Sequence, residues 1–386
     1  MNTPSRTPAT ARGRRTLSGV AVAAAAILAL AVTGCGTTTG GAAGGDGPSA
    51  SVEEGFQVGL LLPESKTTRY EKFDRPFFEE AIADLCPNCT VAYQNADQDT
   101  SKQQSQAEAM LTEGVDVLVL DAVDAEAAAS IVQQAQSQNV PVVAYDRLAQ
   151  GGVDYYVSFD NHTIGTVQAQ ALIEALEAEE AGEDAEIVMI NGSPTDPNAA
   201  DYKAGAHEVL DGQVSIGMEY DTPDWSPDRA QQQMEQAITS IGADEIDGVY
   251  SANDGMASGV IAALKSAGVD DLPPVTGQDA ELAGIQRIIA GDQYMTIYKA
   301  IQPEARTAAE MAIAAATGEE YDGGEFGLIE VEDAGGETVP AVLLDPVVVT
   351  EENIEDTVIS DGYYSIEEIC TDAYADTDFC TEAASS

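Results

Sequence analysis

The sequence predicts an α/β protein of two parallel-sheet lobes, and three observations carry that prediction. Short apolar runs such as Val140-Pro141-Val142-Val143-Ala144-Tyr145 alternate with helical patterns through most of the chain. Apolar runs lying between helices read as buried strands of a parallel sheet. The alternation is run through twice, with the acidic stretch Glu177 to Asp184 between the two passes. Several runs also end abruptly in polar clusters, and the crevice beyond strand carboxyl ends is where open α/β sheets bind ligands.

Residues 1–34 stand outside this pattern. Arg12, Arg14 and Arg15 precede an alanine-rich apolar run from Val20 to Val32, too short for a stable membrane span and therefore read as a secretory signal. It ends Leu30-Ala31-Val32-Thr33-Gly34-Cys35. That ending resembles a bacterial lipobox and implies lipidation of Cys35, which would anchor the exported chain to the outer face of the cell membrane. Residues 35–55, rich in Gly, Thr and Ser, read as a flexible tether.

The first pass then reads strand 56–62, helix 71–85, strand 90–94, helix 101–113, strand 115–120, helix 125–138, strand 140–145 and strand 155–159. A helix over 161–178 opens the second pass. Strands follow at 187–190, 215–220, 248–251 and 274–277, each pair separated by a helix. The βαβ repetition gives parallel sheets with helices on both faces. Strand 295–298, helix 303–315 and the run 339–349, broken by Pro346, complete the pattern. Chain crossings near Ser158-Phe159, Lys299 and Asp345-Pro346 divide it into one lobe of residues 56–159 plus 300–345 and a second of 160–299 plus 346–386.

The formal net charge is −51 over 386 residues. With the four arginines of the signal removed and no acid lost, the mature chain carries twelve cations and stands near −55. Such a surface repels nucleic acid and anionic lipid, so neither is an expected partner. It fits an exported protein adapted to high salt, where screening makes crowded carboxylates tolerable. The same bias makes the retained cations informative, and Arg69, Arg147 and Lys299 each fall at or near a strand end.

Besides Cys35 there are Cys86 and Cys89, in Cys-Pro-Asn-Cys, and Cys370 and Cys380. In an exported chain these four allow three disulfide pairings, of which the two local pairs are favoured. The Cys-x-x-Cys follows a helix instead of starting one, so no helix N-terminus activates a thiol. His162 and His207 have no cysteine at zinc-finger spacing. Asn95, Asp97 and Asp99 alternate as in a calcium loop, but Thr100 and Gln106 stand where glycine and glutamate are needed. No metal or cofactor is expected.

Four strand ends carry clustered polar groups: Tyr145-Asp146-Arg147, Ser251-Ala252-Asn253-Asp254, Gly277-Gln278-Asp279 and Thr296-Ile297-Tyr298-Lys299. A fifth cluster, Asn191 to Asn198, opens a helix. Any one of these is explained by helix capping, and Asp196 and Asp254 read foremost as caps. Tyr70, beside Arg69, and Trp225, the one tryptophan, supply flat rings. A sugar needs carboxylates, amides and guanidinium around its rim and rings against its C–H faces.

Ala144-Tyr145-Asp146-Arg147-Leu148, Ser158-Phe159-Asp160-Asn161, Gly192-Ser193-Pro194 with Asn198-Ala199, Gly277-Gln278-Asp279-Ala280-Glu281 and Met295-Thr296-Ile297-Tyr298-Lys299 together resemble the sugar-binding proteins of bacterial ABC importers. The likeness covers roughly residues 56–365 and falls in the branch that binds D-xylose and other aldoses. It implies a type I periplasmic-binding-protein fold, two Rossmann-like lobes joined by three hinge crossings and closing on one monosaccharide. It further implies that Arg69, Asp146, Arg147, Asn198, Asn253, Asp279 and Lys299 hydrogen-bond the sugar, while Tyr70 and Trp225 stack on it. Tyr70 stands where the xylose-binding branch has tryptophan, and the two cysteine pairs are not part of the family pattern.

The expected function is therefore a lipid-anchored, monomeric receptor that captures an aldose, D-xylose foremost, and presents it to an ABC permease. The alternative is an input to a chemoreceptor or sensor kinase using the same sugar site. A glycosidase built on Asp146 and Asp279 is disfavoured, because each acid stands beside cations or amides that hold it ionised. A transcription factor is excluded by the export signal and the lack of a basic helix-turn-helix.

Overall fold

Strands and helices alternate through the first pass except between its last two strands, which follow one another directly. The computed structural model describes residues 50–179, 181–182 and 185–385. The predicted signal, Cys35, most of the predicted tether and part of the acidic stretch before Ala185 lie outside the described residues. In chain order the first pass is β1 (Gln57–Leu62), a wide π-helical turn (Tyr70–Asp74) running into α1 (Arg75–Leu85), β2 (Thr90–Asn95), α2 (Thr100–Glu113), β3 (Val117–Leu120), α3 (Ala125–Ser137), β4 (Val142–Tyr145) and β5 (Tyr155–Phe159). The second is α4 (Asn161–Ala178), β6 (Glu186–Asn191), α5 (Pro197–Leu210), β7 (Ser215–Asp221), α6 (Pro227–Ile241), β8 (Gly248–Ser251), α7 (Asp254–Ser266) and α8 (Leu282–Ile289). The return comprises β9 (Thr296–Tyr298), α9 (Ile301–Thr317), β10 (Ile329–Glu332), β11 (Thr338–Leu344), β12 (Val347–Val349), α10 (Ile366–Ile369) and α11 (Asp378–Ala383).

The first sheet has the order β10-β11-β5-β4-β3-β1-β2. All its pairs are parallel except the edge pair β10–β11. β3 and β4 are buried along their whole length, as expected of central strands covered by helices on both faces. The second sheet is β7-β6-β8, also parallel, and β12 with β9 forms a separate antiparallel ribbon. The acids at strand ends cap the helices that follow. Asp99, Asp124, Asp160 and Asp196 accept from Lys102 N, Ala127 N, Thr163 N and Asn198 N, the usual use of a short acceptor at an N-cap.

Four features differ from the sequence reading. Residues 274–277 form no strand; only Val275 bridges to Val249, since Pro273 and Pro274 have no N–H to give a ladder. β10 and α8 were not foreseen. The end of the predicted tether is docked: Ala50 N donates to Ala316 O, and Asn88 donates to Glu53 O. The tail reaches both halves of the molecule instead of the second alone. α10 lies on α8 through Gln286, while Tyr363 stacks on Phe73 with ring centroids 3.8 Å apart. Disulfides join Cys86 to Cys89 and Cys370 to Cys380.

Candidate functional site

The carboxyl ends of both sheets face one small cavity. Thr67, Tyr70, Asp146, Arg147, Asp196, Asn198, Tyr202, Trp225, Asn253, Gln278, Asp279 and Lys299 line it, and the space between them is about 20 Å³. That is about one water's worth of space, far below the roughly 300–1,000 Å³ of sites for drug-sized ligands, so the lining groups stand close to one another. Eight of the nine residues singled out in the sequence are on this wall. The ninth, Arg69, stands behind it.

Arg69 is 2% exposed and spends its fork on carboxylates. Nε and Nη2 donate to the two oxygens of Asp74 at 3.0 and 2.6 Å, Nη2 also donates to Glu304 at 2.8 Å, and Nη1 reaches Asp146 Oδ1 at 3.2 Å. The other Asp146 oxygen accepts from the Tyr70 hydroxyl at 3.0 Å. Asp146 ends β4 with φ +58°, a left-handed conformation uncommon for a residue with a side chain. Its carbonyl is held there by three donors, Ser158 Oγ at 2.7 Å, Asn198 Nδ2 at 3.0 Å and the Tyr156 hydroxyl at 3.2 Å. The Asn198 bond comes from the second sheet's side, so Asp146 is gripped by both halves.

Arg147 Nε lies 2.7 Å from Asp196 and 3.5 Å from Asp121, while its Nη groups donate to Ala122 O and to the Tyr70 hydroxyl. Asp196 has three tasks at once: it caps α5, faces Arg147 and accepts from Trp225 Nε1 at 3.1 Å. Trp225 lies flat over Gly192, where a Cβ would come within 2.0 Å of the ring. Only glycine allows that approach. Lys299 pairs with Asp279 at 2.8 Å. Asn253 uses Oδ1 to cap α7, which leaves its NH2 as the donor it can offer. Gln278 gives Nε2 to Ala252 O, and its Oε1 has no hydrogen-bond partner among the described residues.

Six carboxyl groups surround three cations, an imbalance that burial reduces. Desolvation, the largest influence, pushes Asp121 and Glu304 well above the usual carboxylate range, toward the neutral acid. Burial would also raise Asp146, but Arg69, Lys299, Arg147 and the Tyr70 hydroxyl outweigh it and hold that group down at about 2. The wall thus presents one firmly ionised carboxylate beside a guanidinium, with amides, an ammonium–carboxylate pair and three rings around it. This set suits adjacent hydroxyls on a small, uncharged, polar ring.

Sequence reasoning missed Thr67, Tyr202 and Gln278 on the wall, Asp196 as more than a cap, and Asp74, Asp121 and Glu304 behind it. Asp121 ends β3, so the strand-end rule could have found it; Asp74 and Glu304 lie on helical segments with no such signal. A larger, more open groove of about 610 Å³ shares Asp196 and Asn198 with the cavity, but its wall has no lysine or arginine and mixes acids with apolar surface.

Residues 58–320 match the family described as the periplasmic binding protein domain. Over 319 residues the chain is 34% identical to the D-xylose-binding periplasmic protein of Escherichia coli K12, covering 81% of this chain and 92% of that one. It is 33% identical over 340 residues to the multiple sugar-binding periplasmic receptor ChvE of Rhizobium radiobacter, covering 83% and 94%. An ABC transporter solute-binding protein from Clostridium phytofermentans with bound β-D-glucose matches with a TM-score of 0.73 at 29% identity, covering 81% of this chain and 99% of that one.

Proposed function

Because the chain belongs to the periplasmic-binding-protein family and has its type I fold, we propose that it captures an aldose monosaccharide, D-xylose foremost, in the cavity around Asp146 and Arg147. The family is one of solute receptors, so the chain is a binding protein and not an enzyme. The observation that carries the reading is the convergence of strand ends from both sheets on one wall of carboxylates, amides, cations and rings. Asp146, Arg147, Asn198, Asn253, Asp279 and Lys299 hydrogen-bond the sugar, and Trp225 and Tyr70 lie against its C–H surface. Arg69 acts one shell back, by fixing Asp146.

Closing two lobes over the sugar removes it from water and strengthens each bond to it. The closed shape is then what a membrane partner recognises, a population shift driven by the sugar's preference for that state. That partner is an ABC permease, in keeping with the sugar-binding periplasmic relatives, and the receptor is held near it by a lipid on Cys35. Calorimetric titration with D-xylose, D-glucose, L-arabinose and glycerol tests the sugar reading. One-to-one binding of an aldose with no heat from glycerol is expected; silence with every aldose contradicts it. Cell fractionation tests the anchor: Cys35→Ala should move the protein from the membrane to the soluble fraction, and unchanged membrane retention would refute lipidation there.

A further inference from the structure

The segment that carries Arg69 and Tyr70 to the site is the start of a helix, where N–H groups lack acceptors within the helix. Two carboxylates take them. Glu64, from the same loop, accepts from Thr67 N through both oxygens at 3.1 Å. The next N–H, that of Thr68, donates to Glu281 Oε1 at 3.0 Å. Glu281 comes from the other half of the molecule, immediately before α8. One half therefore supplies the acceptor at a helix start of the other, where N–H groups lack partners within the helix.

The Glu281 side chain is free for this because it does nothing for its own helix. It is the N-cap of α8 yet makes no capping bond there. Asp279 and Ala280 before it have φ of +84° and +44°, a left-handed turn that persists only where its surroundings hold it. Three successive N–H groups are held: Asp279 by Ile297 O, Ala280 by Thr296 Oγ1 and Glu281 by Asp254 Oδ2, at 2.9, 3.1 and 2.8 Å. This turn sends Asp279 to Lys299 and Glu281 across to Thr68.

We propose that Glu281 is a positioning residue for ligand retention, completing the helix start that bears Arg69 and Tyr70 only when the two lobes are closed. A bound sugar is then held by a hydrogen bond that it does not itself make. The proposal rests on reading the cavity as a sugar site. Burial, and after it Asp254, raises the Glu281 carboxyl to about 7, against the pull of the Thr68 N–H. The groups facing it are Asp254 at the start of α7, Asp279 in its own turn, Arg287 on α8 and Tyr364 in the tail. Opening returns the carboxyl to water and to its ordinary, lower range. A group whose closed-state pKa is the higher one takes up a proton on closure, so retention is strongest at acid pH and weakens as pH rises through about 7.

Stopped-flow release of D-xylose from the intact chain, at pH 5.5 and pH 8, tests this with Glu281→Ala and Glu281→Gln. At pH 5.5 Glu281→Ala should release the sugar about tenfold faster, the effect of leaving the Thr68 N–H without its acceptor. Glu281→Gln keeps an acceptor oxygen without a titrating proton. It should stay within about threefold of the wild-type rate at pH 5.5 and lose the acceleration the wild type shows at pH 8. Equal release from wild type and Glu281→Ala overturns the proposal, as does a Glu281→Gln protein that keeps the wild-type pH profile. If Glu281→Ala does not fold, the Glu281→Gln profile decides alone. A wild type that binds no aldose overturns the sugar reading itself, a failure distinct from unchanged release in the variants.

Discussion

Two buried guanidiniums, Arg69 and Arg147, lie close to Tyr70, with their carbons 5.3 and 5.8 Å from its ring centre. Both end among carboxylates and both were read from the sequence as sugar contacts. They have different tasks. Arg69 is enclosed by Asp74, Glu304 and Asp146 and lies off the cavity wall, so it organises the first sheet's end. Arg147 faces the cavity, and its carboxylate neighbours Asp196 and Asp121 are both pushed up by burial. The difference teaches that a cation at a strand end is available to a ligand only if the protein's own carboxylates leave part of its fork free.

The comparison predicts a separation of stability from affinity. Arg69→Met leaves Asp74 buried without its two-pronged partner and should cost about 3–5 kcal/mol of folding stability, the range for a broken buried pair. Urea unfolding of the ligand-free protein measures it. Arg147→Met should instead show its larger effect in calorimetric affinity; equal losses of stability and affinity in the two variants would erase the distinction.

Asp146 joins the two arginines, and Asp146→Ala should weaken sugar binding by about 2–5 kcal/mol by leaving charge unpaired in the site. Its pKa is lowered to about 2. The stabilisation it gives is therefore present above the usual carboxylate range and is lost only as pH falls toward 2. Folding stability of the Asp146→Asn variant should accordingly converge on that of the wild type at acid pH; a constant gap down to pH 2 would show that Asp146 is not the ionised partner.

A smaller effect is expected at Trp225. Trp225→Phe keeps a ring against the sugar but loses the bond to Asp196, and about 1 kcal/mol of affinity should go with it. A loss as large as that of Asp146→Ala would make the indole, and not the charged wall, the main contact. The smallest effect concerns the surface. Melting temperature should rise by a few degrees between low and molar salt, because a net charge of −51 is then screened. A flat response would show that the acidity costs the fold little.

The fold was legible because buried strands announce themselves. Continuous apolar runs such as Val117 to Leu120 and Val142 to Tyr145 leave no other reading between helical patterns. Residues 274–277 misled because prolines are apolar like strand residues yet cannot donate to a ladder. Much of the site was legible from one rule, that polar groups at strand carboxyl ends converge. That rule does not see Asp74 and Glu304, whose importance depends on which helices pack beneath Arg69. Nor does it separate a cap from a wall: Asp196 is both, and only the position of Trp225 and Arg147 around it reveals the second role. Glu281 was quoted within a motif, but its partner Thr68 lies 213 residues away in the chain.

The account depends on the cavity being a sugar site assembled by both halves of the molecule. Calorimetric titration of D-xylose into wild type and Asp146→Ala, side by side, tests this most directly. Saturable one-to-one binding by the wild type, with affinity at least tenfold weaker in the variant, is the predicted result. Identical isotherms for the two proteins would contradict it.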